Sequence, residues 1–88
     1  MSNDERVRQE IIRVASNIDK ILETDEIKVD NMVLFSNNVF NQIDGIVLRG
    51  AVSAYNALVG SDMFKKASSQ EKTKCLNNYR RMLLSMID

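Results

Sequence analysis

The chain has 88 residues and a mass of 10.0 kDa, enough for one modest hydrophobic core and a single domain spanning 1–88. It has one cysteine, Cys75, and no histidine, so an internal disulfide, a His-based catalytic triad and a typical zinc site are all excluded. Twelve acidic and twelve basic residues cancel overall, yet residues 1–30 hold eight acids against five bases and residues 61–88 hold six bases against three acids. The chain is thus a charge dipole along its length, which bears on partners more than on fold.

The N-terminal Met1-Ser2-Asn3-Asp4-Glu5 is acidic and no run approaches 18 apolar residues. The expectation is a soluble protein with no membrane partner that is not exported by a signal peptide. The unpaired cysteine points the same way, to a reducing, intracellular home.

Ser2 followed by Glu5 is a capping-box pattern, so a first helix is expected from about residue 3 to residue 23. Along it Val7, Ile11, Val14, Ile18 and Ile21 recur at alternating spacings of four and three, the seam spacing of a helix that pairs with another helix. On a wheel of about 100° per residue these five fall in an arc of roughly 80°, with Ala15, Leu22 and Ile12 widening it. A core-facing stripe needs only about 100°. The surplus leads us to expect one edge facing inward and the other meeting a second chain, against the simpler reading that all of it is core.

Thr24 and Asp25 are good N-cap types, and Met32, Phe35, Val39, Phe40 and Ile43 keep helical spacing. A second helix is therefore expected over about 25–43, with an irregularity near Asp30-Asn31 left open and Gly45 ending it as a positive-φ C′ residue. Ile46-Val47-Leu48 has strand propensity, but an isolated strand has nothing to pair with. A third helix over 46–59 closed by Gly60 fits better. Ser61-Asp62 caps a short helix to about Ala67, and Ser68 with Glu71 caps a last helix whose apolar set is Cys75, Leu76, Tyr79, Leu83 and Ile87. The predicted fold class is all-α, a bundle of about five to six short helices with a helix-turn-helix-like C-terminal part.

No catalytic constellation emerges. The carboxylates of the N-terminal third, Glu10 and Asp19 among them, read as solvated on polar faces or caps, and Gly45, Gly50 and Gly60 are too far apart for a phosphate loop. Cys75, set in a helical apolar pattern, reads as a buried small hydrophobe. The expectation is a non-enzyme with no cofactor and no metal.

Direct nucleic-acid binding is a rival. A short helix, a turn at Ser68-Ser69 and a longer helix carrying Lys72, Lys74, Arg80 and Arg81, with Asn77 and Asn78 as base readers, have the outline of a helix-turn-helix. The zero net charge argues against it, because phosphate neutralisation supplies most DNA affinity.

A family resemblance enters at the first helix. Glu10-Ile11-Ile12 and Val14-Ala15-Ser16, then Lys20 and Asp25, resemble the opening of the phage anti-sigma AsiA family. Phe40-Asn41-Gln42-Ile43 with Gly45 is similar to the Leu-Asn-Glu-Ile-Gly that closes that family's second helix. Phe64-Lys65-Lys66, then Gln70-Glu71, Lys74 and Leu76, look like its Phe-Arg-Lys and Gln-Glu-x-x-Lys-x-Leu. The colinear patches cover about two thirds of the chain; 46–61 does not match.

The resemblance implies an all-helical protein of the infected host's cytoplasm, weakly homodimeric through the first helix when free. The same face would pass to region 4 of the host primary sigma factor, blocking −35 recognition by RNA polymerase. A phage activator is a further candidate partner, for redirecting polymerase to viral middle promoters, with the basic C-terminal third as its contact or polymerase's. Glu10, Val14 and Lys20 are the family's own types, Ile18 stands for a leucine and Ile21 for a phenylalanine, while Asn17 departs from an apolar position. In the second helix Val39 and Ile43 match positions that complete the family's groove. The expected partner-binding set is Val7, Glu10, Ile11, Val14, Asn17, Ile18, Lys20, Ile21, Val39 and Ile43, with a helix-turn-helix repressor or a helical dimeric assembly protein as alternatives.

Overall fold

A computed structural model describes residues 5–24, 27 and 34–87. Among these the chain forms five helices and no strand: α1 Glu5–Leu22, α2 Asn37–Phe40, α3 Ile46–Val59, α4 Asp62–Lys66 and α5 Ser69–Ser85. This is a small all-α fold, as its periodicities predict. The proposed cap at Ser2 and the proposed helix over 25–33 lie outside the described residues, apart from Ile27, which is buried but not helical.

The principal packing is α1 along α5, with α2 lying against α1 and α4 against α3. From α1, Val7, Ile11, Val14 and Ile18 are fully buried, and Leu76, Tyr79 and Leu83 of α5 are equally closed. The four-three seam of α1 thus finds its partner within the chain. Val52 and Val59 complete the core from α3.

The two C-terminal helix starts follow local chemistry. Ser61 Oγ accepts the N–H of Phe64 at 3.2 Å, and Ser68 Oγ accepts the N–H of Glu71 at 3.2 Å, each satisfying an orphan amide of a first turn. The Glu71 carboxylate accepts from the Ser68 hydroxyl at 3.3 Å, so the box closes side chain to side chain.

The second helix is the main departure. In place of a continuous helix to residue 43, residues 34–36 run non-helically and α2 is a single turn over Asn37–Phe40. The cause is tertiary. The main-chain N–H of Phe35 is taken by Asn56 Oδ1 at 3.2 Å and that of Ser36 by a carboxylate oxygen of Glu10. These amides bond to side chains distant in sequence. Ser36, Asn37 and Asn38 are also residue types that favour caps and turns over helix interiors. Phe35 and Ile43 still reach the core, while Val39 and Phe40 are half-buried. Gly45 does have a positive φ, +100°, but it sits at the entry to α3 and not at the end of a second helix.

Candidate partner-binding face

The face expected to meet a second chain is mostly core. Val7, Ile11, Val14 and Ile18 have no exposed surface, and Ile43 has 2 %. This corrects the expectation that α1 carries surplus apolar surface: α5 covers one side of its arc, and the turn around α2 lies against the other. Of the apolar residues on α1, Ile12 keeps substantial exposure. Within the expected set, Lys20 is exposed and Ile21 and Val39 are half-buried.

Glu10 and Asn17 are buried polar residues, and Glu10 is the hub of the best-defined polar structure among the described residues. Arg13 Nε donates to Glu10 Oε1 at 2.7 Å and its Nη2 donates to Oε2 at 2.9 Å, a bidentate pair one helical turn apart. The same Nη2 donates to the carbonyl of Leu34 at 2.9 Å, while the Ser36 N–H donates to Glu10. Residues 34–36 are therefore gripped by α1 through both a donor and an acceptor. The Arg13 hydrogen bonds hold the Glu10 carboxyl below its ordinary value, burial opposes them, and the Ser36 N–H adds to the lowering. Glu10 is thus not the solvated carboxylate that its helical position suggests.

Asn56 of α3 extends the network. Its Oδ1 accepts from Phe35 N–H and from the Tyr79 hydroxyl, the latter at 3.1 Å. The Tyr79 ring stacks on Tyr55 with centroids 4.9 Å apart. Burial, reinforced by the negative Glu10, pushes the Tyr79 phenol far above its usual range, so it remains a neutral donor. Arg13, Ser36 and Asn56 escaped the sequence reading, in which Tyr79 figured as an apolar core position and not as a hydrogen-bond donor. The Glu10–Arg13 spacing of three was the one local signal available for them.

At the far end of α1, Arg80 Nε lies 2.7 Å from Asp19 Oδ1 away from its N–H direction, so the pair is ionic without a hydrogen bond. It ties α5 to α1. Arg80 is therefore not a freely presented cation, whereas Lys65, Lys66, Lys74 and Arg81 are exposed. Cys75 is half-buried at the edge of the core, with its thiol pushed up by burial, which corrects full burial to partial burial.

Among the described residues the one buried carboxylate, Glu10, is paired with Arg13, and no group of three or more potential metal ligands occurs among them. No described helix is long and apolar enough to cross a membrane. No family model, curated protein or solved structure matches the chain.

Proposed function

We propose that this chain is a phage anti-sigma factor of the AsiA kind, which binds region 4 of the host primary sigma factor and takes it off the −35 element of promoters. It acts by occlusion, in the cytoplasm of the infected cell, with RNA polymerase as the target machine and a phage activator as a further partner. The observation that carries this reading is the colinear set of resembling patches, of which Glu10, Val14, Asn17 and Ile21 share one edge of α1, with α2 beside that helix.

The burial of Val14 and Glu10 adds a condition. For region 4 to reach that edge, residues 34–40 must lift away from α1. Support for this step comes from how the segment is held: α2 contributes no buried residue of its own, and the residues before it bond to Glu10 and Arg13 of α1 through polar groups, although lifting the whole segment also withdraws Phe35 from the core. Water can replace such bonds at modest net cost. The fully buried seam positions Val7, Ile11 and Ile18 then serve as core, and the contact falls to Glu10, Val14, Asn17, Lys20, Ile21 and Val39.

A second reading is favoured by one observation. α4 and α5 are joined through Ala67 and Ser68, and Asn77, Asn78, Lys74 and Arg81 are exposed on the longer helix, the outline of a DNA-reading pair. Size exclusion of the purified protein with isolated region 4 tests the first reading by the appearance of a one-to-one complex. A salt-dependent shift of promoter DNA by the protein alone favours the second, and neither signal favours a helical assembly protein.

A further inference from the structure

α3 is apolar almost all the way round. Its inner side places Val52 and Val59 in the core with Leu48 and Tyr55 packed against them. The opposite side carries Ile46 at 85 % exposure, Val47 at 84 % and Leu58 at 41 %, together with exposed Gly50, Ala54 and Ala57. On a wheel of about 100° per residue these outer positions fill a continuous arc of about 120°, as wide as the stripe a surface helix uses to face a core. The helix's one charged residue, Arg49, lies off that arc. Met63 of α4, which packs against α3, adds a further exposed large side chain at 77 %. A helix apolar on both sides is ordinarily buried on both sides.

We infer that a second copy of this chain covers the outer face of α3, helix against helix and antiparallel across a two-fold axis. Three observations select that occupant. Large side chains stand at the two ends of the face, Ile46 and Val47 at one and Leu58 at the other, with Gly50 and Ala54 between them. An antiparallel two-fold lays each large end on the opposite end of the partner, while the small middle lets the backbones approach. A Cβ built at Gly50 meets nothing within 4 Å, so the space over the middle is open.

Charge is the second observation. The chain has zero net charge and the arc has none, so nothing repels a like copy. Area is the third. An exposed apolar patch of this kind is on the order of 500 Å², and two such faces closed together bury about 1,000 Å², the lower bound for specific association. The dimer is therefore weak, with a dissociation constant in roughly the micromolar range or above. It uses a different surface from the α1 edge assigned to sigma, and stands or falls independently of that assignment.

Sedimentation equilibrium of the full chain over a wide concentration range tests the inference beside two variants. Wild type should follow a monomer–dimer equilibrium. Val47→Glu, a change at an exposed position, should melt like wild type by circular dichroism and raise the dissociation constant by at least about tenfold, while Arg81→Glu leaves it unchanged. In a Cys75→Ser background, Ala54→Cys lies close to the proposed axis and should form a symmetric disulfide under mild oxidation. Ile46→Cys lies about 20 Å from its own copy along an antiparallel pair and should not. A wild type that stays monomeric, a Val47→Glu variant that unfolds or dimerises as before, or cross-linking at position 46 in place of 54 would each overturn the α3 interface.

Discussion

The carboxylate of Glu10 accepts the main-chain N–H of Ser36, twenty-six positions further along the chain. That one bond joins the middle of α1 to the segment before α2, and with Arg13 on the same carboxylate it decides which edge of α1 is covered. Glu10→Gln keeps the shape and removes the charge. We expect a loss of about 1–3 kcal/mol at neutral pH, the range for a buried charge-assisted bond.

The sign of the pH dependence follows from the same pair. The Glu10 carboxyl is held below its ordinary value when folded, so its stabilisation is fully present above the unfolded value of about 4.3 and is lost as pH falls through the folded value. Urea denaturation at a series of acidic pH values should show wild type losing stability in that window, with Glu10→Gln flatter across it. Parallel acid limbs would separate Glu10 from the effect.

Ser36 sits at φ −64° and ψ 135°, a conformation that proline adopts without strain. Ser36→Pro therefore deletes the N–H to Glu10 and little else, at about 0.5–1.5 kcal/mol, part of it offset by a less flexible unfolded chain. If residues 34–40 must lift for sigma to bind, the variant should bind region 4 more tightly than wild type by calorimetry. Equal or weaker binding in a folded variant would place the sigma contact elsewhere.

Asn56→Ala removes the acceptor shared by Phe35 and Tyr79 and leaves both donors in a part-buried site. The expected cost is about 2–3 kcal/mol, read as a lowered thermal midpoint with the helical spectrum retained.

Val14 is fully closed, so Val14→Glu should abolish cooperative melting, because an unpartnered charge in the core is costly. Ile12→Glu, on the exposed side of the same helix, should stay within about 0.5 kcal/mol of wild type. A folded, cooperatively melting Val14→Glu would contradict the burial of Val14 in the core.

What the sequence disclosed was local. The caps at Ser61 and Ser68, the extent of α3 and the core positions Leu76, Tyr79 and Leu83 all follow from spacing and neighbouring side chains. The course of residues 34–36 was illegible because their amide partners, Glu10 and Asn56, are more than twenty positions away. The seam of α1 was legible as a seam but not as to its partner, since the four-three spacing is the same whether the facing helix is α5 or another molecule. The surplus apolar surface lies on α3, where the large side chains Ile46 and Val47 are exposed; a helix apolar on both sides offers no polar stripe to tell its inner face from its outer one.

On the proposed function, the chain removes sigma region 4 from the −35 element. Footprinting of primary holoenzyme on a −35-dependent promoter, with and without an excess of the protein, tests it most directly. Protection over the −35 element should disappear, while upstream DNA mixed with the protein alone shows none. Unchanged −35 protection with the protein in excess would contradict it.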